Sequence, residues 1–245
     1  MYSWKPQWGL LRKIHFQRCS DGHPFQQLSL RDIGMSIDDF SALRLSFNNL
    51  PMDTHHQRHC NTSLCTRFRR HQRFELDTSA RNGFGVVASD DHLFEQKVAD
   101  FRKQPRMFSG MEQHVVEGDA FLSLLSQLSS LVLLPRPNID KLQVDVHQVR
   151  LLSMSGNAAD NAPEGVHQDG ADYIVSALVL NRHNVTNDMS VVYDKDQQEL
   201  YRTTLQEGEF MFQDDKHLWH DIKPIRATEN HVGYRDILGF DFTIT

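Results

Sequence analysis

Leu142-Gln143-Val144-Asp145-Val146-His147-Gln148-Val149-Arg150-Leu151 alternates apolar and polar side chains with a period of two. Successive side chains of a strand point to opposite faces, so the stretch predicts a half-buried β-strand. Working outward from it, Asp172 to Leu180, Ser190 to Tyr193, Leu200 to Thr204, Phe210 to Gln213, Leu218 to Ile222 and Tyr234 to Thr245 also read as strands. Turn-forming residues separate them at Asn181 to Asn187, Asp194 to Gln197, Glu207-Gly208, Asp214-Asp215 and Thr228 to Gly233. Many short strands at even spacing indicate a sandwich or barrel. The fold class is therefore mainly β with flanking helices.

The first half supplies those helices. Ser36-Ile37-Asp38-Asp39 resembles a capping box, and Phe40, Leu43, Leu45 and Phe47 follow it. His92 to Phe101 is a second candidate helix. The clearest runs from Asp119, the expected N-cap, to about Leu131, with Phe121, Leu122, Leu124, Leu125, Leu128 and Leu131 on a broad apolar face. Pro135 and Pro137 close it off.

The 245 residues suffice for one large domain, and their 39% hydrophobic and 24% charged content is that of an ordinary soluble globular protein. A formal charge of -6 argues against general nucleic-acid binding or an anionic membrane surface. Cys19, Cys60 and Cys65 are an odd number, too few for a disulfide scaffold. The N-terminus lacks an unbroken apolar core, and no run approaches the length that spans a bilayer. A cytoplasmic setting is the expectation.

Gly165-Val166-His167-Gln168-Asp169-Gly170 carries the chemistry. Two side chains two apart at a strand end share one face. An imidazole and a carboxylate there, with a second imidazole from a later strand, make the facial triad of non-haem Fe(II) oxygenases. His220, in Leu218-Trp219-His220-Asp221-Ile222-Lys223-Pro224, is the candidate third ligand. 2-Oxoglutarate, as co-substrate, needs a buried cation for its distal carboxylate, and an arginine fork matches a carboxylate bidentately. Arg235 opens the last strand, where a short hairpin connection would set it beside the His220 strand. The competing reading has His167 and Asp169 in a surface turn, His220 as a core histidine and Arg235 paired with Asp236 or Asp241.

The sequence resembles the small 2-oxoglutarate/Fe(II) dioxygenases that hydroxylate free L-amino acids, such as the bacterial isoleucine 4-hydroxylases. The resemblance rests on Val146-His147-Gln148-Val149-Arg150, Val166-His167-Gln168-Asp169-Gly170, Trp219-His220-Asp221-Ile222-Lys223-Pro224 and Tyr234-Arg235-Asp236-Ile237-Leu238, and more faintly on Arg67 to Phe74. It implies a double-stranded β-helix (jelly-roll, cupin-like) core. Residues 139–245 would form that core and its metal site, and residues 1–138 a helical and irregular part packed on it, all in one domain. It further implies iron on His167, Asp169 and His220, 2-oxoglutarate on Arg235, O2 as oxidant, ascorbate as a candidate reductant and a small amino acid as substrate. A carboxylate at Asp169 favours hydroxylation over halogenation. One departure is Asn187-Asp188-Met189, where such enzymes often carry Gly-Gly.

Three further features have alternative readings. Gln148 and Arg150 share a strand face, and either bind substrate or co-substrate or, for Arg150, form a salt bridge at the barrel rim. Arg67 to Phe74 reads first as a strand with a solvated face, second as a substrate-pocket wall and a distant third as a nucleic-acid contact. His55, His56, His59, Cys60 and Cys65 lack the paired spacing of a structural zinc site and read as a histidine-rich loop. Protein or nucleic-acid substrates, and a non-catalytic metal-binding jelly roll, are the competing functions.

Overall fold

The computed structural model describes residues 2–4, 6–55, 66–79, 83–96, 104–154, 158–160, 164–228 and 231–245. In chain order the strands are β1 (Tyr2–Trp4), β2 (Gln17–Arg18), β3 (Pro24–Ser29), β4 (Arg67–Asp77), β5 (Phe84–Ala88), β6 (Leu93–Phe94), β7 (Arg106–Met107) and β8 (Lys141–Ser153). They continue with β9 (Tyr173–His183), β10 (Val185–Thr186), β11 (Ser190–Tyr193), β12 (Glu199–Thr203), β13 (Glu209–Asp214), β14 (Trp219–Ile222), β15 (Arg226–Ala227) and β16 (Gly233–Ile244). A nine-stranded sheet runs β1-β5-β4-β8-β16-β9-β13-β3-β2, and a three-stranded sheet runs β12-β11-β14. This is the expected mainly β, jelly-roll core.

The large sheet separates two apolar clusters. On its outer face Val144, Val146, Leu178, Phe210, Phe240 and Phe242 pack with the helix Asp119–Leu133. On its inner face Val149, Leu151, Ala177, Val179, Met211 and Ile237 pack with Val192, Leu218 and Ile222 of and beside the small sheet. Strands buried on both faces do not alternate cleanly. That explains β8, which is buried along nearly its whole length rather than half-buried. Its apolar residues change face at Gln148: Val144 and Val146 point outward, Val149 and Leu151 inward.

The long helix is buried from Phe121 to Leu133 apart from Ser123. The helix Ile37–Leu45 and Leu11 cover it from outside, placing Leu11, Leu43 and Phe47 in the outer cluster. Ser36 and Asp39 form the expected capping box, each side chain accepting the other residue's backbone N–H. The N-cap of the long helix is Gly118, not Asp119, which already lies in its first turn beside the positive end of the helix dipole. The expected helix at His92 to Phe101 is replaced, where described, by β6 paired with β7. The remainder of that prediction lies outside the described residues.

The first half is more than a helical cap. Its strand β4 pairs with β8 over eleven positions, from Arg67 opposite Leu151 to Asp77 opposite Lys141, and β3 pairs with β13. The β14–β16 hairpin expected from the sequence is not formed either. β14 belongs to the small sheet and β16 lies between β8 and β9 in the large one, so the two face each other across the interior. Among the described residues no helix is long and apolar enough to cross a membrane.

Leu128 has no exposed surface and sits between the outer helices and the sheet, whereas Val87 is 50% exposed on β5. Leu128→Ala is expected to cost about 2–5 kcal/mol through lost burial and a residual cavity. Val87→Ala should stay within about 0.5 kcal/mol. Urea unfolding of the two variants checks both.

Candidate metal centre

His167 and His220 meet through a two-way backbone bridge, each N–H donating to the other's carbonyl at 2.9 Å. Their rings lie 4.2 Å apart. His167 Nε2 is 3.6 Å from Asp169 Oδ1, and His220 Nε2 is 3.5 Å from Asp169 Oδ2. One ligand atom from each residue falls within 4.8 Å of the other two. The histidines are 7% and 4% exposed, so the cluster is shielded from bulk water. The Nδ1–H of His167 donates to the Gly165 carbonyl at 2.6 Å, which leaves Nε2 with its lone pair toward the cluster.

The loop holding Asp169 is fixed by one buried carboxylate. Asp215 accepts backbone N–H bonds from Asp169 (3.0 Å), Gly170 (2.8 Å) and Ala171 (3.1 Å). Gly170 adopts φ +86°, a left-handed conformation that lets successive N–H groups converge. The Gln168 side chain adds a bond to the Asp215 carbonyl. Burial, and then the charge of Asp169, push the Asp215 carboxyl above the usual carboxylate range, against the three N–H bonds. A cation held by the cluster relieves the second of those causes. On its open side, Asp169 Oδ1 accepts from Gln96, whose Oε1 in turn accepts from Arg106.

Arg235 is wholly buried and lines the interior on the face of Ile237. None of its three nitrogens makes a hydrogen bond among the described residues. Its nearest acidic oxygen, on Asp188, is 3.6 Å away, and Asp188 is already held bidentately by Arg182 at 2.8 Å on both oxygens. The departure Asn187-Asp188-Met189 thus supplies the counter-charge for two arginines. Burial lowers the Arg235 pKa to about 10, so the guanidinium stays charged at neutral pH. On the small sheet Val192 lies opposite His220 and Ser190 opposite Ile222, so one face leads away from the cluster. Ser190 Oγ is buried there without a hydrogen bond among the described residues.

Gln148 and Arg150 require a correction. They point to the outer face, opposite Leu238 and Asp236 of β16, away from Arg235. The Gln148 amide donates to the Ser46 carbonyl and hydroxyl. Arg150 is paired bidentately with Asp236 at 2.6 and 2.7 Å. Of the two readings open in the sequence, the salt bridge is the one observed. Side-chain direction alternates without a slip along β8, so Gln148 and Arg150 share the outward face of Val144 and Val146.

Arg67 to Phe74 is β4, and its odd-numbered residues face inward rather than into solvent. Arg69 donates to His147 Nδ1 at 2.7 Å, and His147 Nε2 meets Asp241 at 2.9 Å. Burial, then the charge of Arg69, hold His147 well below its usual pKa, so it is neutral. The Arg69 guanidinium lies 4.4 Å from the Phe108 ring centre, with Arg106 5.1 Å from that of Phe94. Burial, then repulsion by Arg67 and Arg106, lower the Arg69 pKa to about 9. Sequence reasoning missed Gln96, Ser190 and Asp215, and it marked Asp188 only as part of the Asn187-Asp188-Met189 departure, without a role. Of the missed residues, Asp215 lay in a turn pattern and the others carried no local signal. Of the histidine-rich loop only His55 lies within the described residues, its ring 5.5 Å from that of Phe108.

The family model described as 2OG-Fe dioxygenase matches residues 44–241. A search of curated proteins finds no match. Among solved structures, a bsmA homolog from Methylobium petroleophilum PM1 is similar with a TM-score of 0.80 at 19% identity, covering 98% of this chain and 94% of that one. IDO from Bacillus thuringiensis has a TM-score of 0.72 at 14% identity, covering 90% and 94%. The Fe(II)/(alpha)ketoglutarate-dependent dioxygenase TqaL has 0.66 at 20%, covering 90% and 82%. At these identities the structural likeness concerns the fold.

Asp215→Asn is expected to free the Gly170 and Ala171 amides, because a neutral amide gives up charge-assisted bonds of about 1.5–3 kcal/mol. Hydrogen exchange at those two amides should accelerate by about 10- to 100-fold. Unchanged protection would move the support of the loop elsewhere.

Proposed function

The chain belongs to the 2OG-Fe dioxygenase family, and on that premise we propose that it hydroxylates a free L-amino acid on an aliphatic or thioether side chain. The family requires Fe(II), 2-oxoglutarate and O2. His167, Asp169 and His220 are assigned as the iron ligands and Arg235 as the anchor of the 2-oxoglutarate distal carboxylate. The residues fit both groups. Two imidazoles and one carboxylate are the donor set for a divalent iron with open positions. A buried guanidinium without a hydrogen bond fits a carboxylate, which would satisfy it.

The observation that carries the substrate class is the arginine pair beside Asp169. Arg69 and Arg106 lie against the Phe94 and Phe108 rings, and Arg106 reaches Asp169 through Gln96. Two cations on an aromatic wall suit a small substrate that presents a carboxylate. Asp169 in turn forms the negative side of the same space.

When bound, iron and 2-oxoglutarate supply the oxidising chemistry, with 2-oxoglutarate decarboxylated to succinate and CO2. The chain supplies positions. Arg235 would hold the distal carboxylate, and the buried Ser190 hydroxyl offers a further donor. Val192, Ile222 and Ile237 exclude water from the space between. Gln96 donates to Asp169 and fixes the rotation of its carboxylate. His167 keeps its proton on Nδ1, at the Gly165 carbonyl. Neutral His147 orients Arg69 toward the substrate, so that the substrate's own carboxylate sets which carbon is presented.

Iron-loaded protein given 2-oxoglutarate and oxygen should release succinate in response to one or a few members of a panel of free L-amino acids. Stimulation by none of them would move the substrate to a peptide, nucleic acid or modified metabolite. Arg69→Ala should raise the KM for the responsive amino acid by about 10- to 100-fold, the value of a charge-assisted hydrogen bond. His167→Ala and Asp169→Ala should each abolish turnover together with tight iron binding, and full activity in either would remove the assigned ligand set.

A further inference from the structure

A second group of metal-type side chains converges away from that centre. His23 precedes β3, Asp214 ends β13, and His217 lies in the turn that follows. Their candidate ligand atoms lie within 4.8 Å of one another. His23 Nδ1 is 3.1 Å from Asp214 Oδ2, and His217 Nδ1 is 2.8 Å from Asp214 Oδ1. The two imidazoles stack face to face, with centroids 3.6 Å apart and planes 8° from parallel. Each oxygen of one carboxylate therefore faces the Nδ1 of one ring.

Neighbouring donors around a cation bound at about 2.0–2.2 Å are themselves separated by about 3 Å. The two nitrogen–oxygen contacts have that length as hydrogen bonds, and because the rings are nearly parallel one of them must turn for both in-plane lone pairs to reach a single ion. The Asp214 side chain is 6% exposed, and those of His23 and His217 are 28% and 42% exposed. The carboxylate is thus fixed in the protein while the rings can be reached from solution. Of the nearby cations, Lys216 is paired with Asp172 and Arg136 hydrogen-bonds Tyr173.

We propose that His23, Asp214 and His217 form a second, solvent-facing site for a divalent cation of the Zn2+ type, with water completing its coordination. The donor set decides the class. Two imidazoles favour zinc, nickel or copper over magnesium and calcium, which take oxygen ligands. The carboxylate neutralises part of the charge. The site joins residues 191 positions apart in the chain. It ties the end of the β2–β3 hairpin to the turn after β13, and the residue after Asp214 is Asp215, which holds the Asp169 loop. A cation here is a clasp on the outer support of the inner centre.

The test is zinc binding to metal-stripped full-length protein, read by equilibrium dialysis with metal analysis and by thermal unfolding. His167→Ala/Asp169→Ala protein, with the inner ligand set broken, is expected to bind one equivalent of zinc and to gain about 5 °C in Tm at saturation. Adding His23→Ala and His217→Ala should remove both effects. If the inner variant does not fold, wild-type protein is compared with His23→Ala/His217→Ala, and the stoichiometry should fall by one equivalent. Zinc binding that survives loss of His23 and His217, or no equivalent bound by the inner variant, overturns the site. Failure of the inner assignment reads differently: His167→Ala/Asp169→Ala would then keep the wild-type zinc stoichiometry.

Discussion

A buried guanidinium without a hydrogen bond among the described residues is the constraint around which the interior is arranged. Removing a cation from water costs several kcal/mol unless it is paired and hydrogen-bonded. Among the described residues Arg235 has only Asp188, 3.6 Å away and already committed to Arg182. That cost is tolerated because β16 is held on both sides, pairing with β8 over twelve positions and with β9 along most of its length. The outward residues of the same strand, Leu238, Phe240 and Phe242, lock it into the helix-covered core. Outer packing and inner polarity are two faces of one strand, and the first permits the second.

The same division of labour holds at the other end of the interior. His167 and His220 are brought together by backbone bonds, not by their side chains, so their approach does not depend on a cation. Asp169 is placed by the three N–H groups that Asp215 collects. A polar strip along β4, β8 and β16, from Arg69 through His147 to Asp241, continues from there along the inner face. Preformed, tightly supported side chains lose little freedom when ligands arrive, which is the physical use of such a scaffold.

Much of this was legible in the sequence, and the failures share a cause. The long helix, the capping box at Ser36 and the strands of the second half followed from periodicity and turn chemistry. So did the residue types that meet at His167, Asp169 and His220, although His167 makes only an isolated bridge and Asp169 lies in a loop rather than on the strand end the sequence suggested. Which face was the question periodicity could not answer. In a sheet buried on both sides, apolar residues mark neither face, so the reading of Gln148 and Arg150 stayed open between a ligand contact and a rim salt bridge, and β4 was given a solvated side. The change of apolar face along β8 shows in the sequence as adjacent polar residues at His147 and Gln148, but its meaning depends on strand order. Gln96 and Asp215 act on Asp169 through contacts distant in the chain, which no local pattern reveals.

The most direct measurement compares two keto acids of equal carbon number by calorimetry on anaerobic, Fe(II)-loaded protein: 2-oxoglutarate, and 2-oxopentanoate, which lacks the distal carboxylate. If Arg235 awaits that carboxylate, 2-oxoglutarate binds at least about 100-fold more tightly, the scale of a buried charge pair, and Arg235→Met removes the preference. Equal binding of the two acids, or a preference that persists in Arg235→Met, would contradict the assignment of the buried guanidinium to the co-substrate.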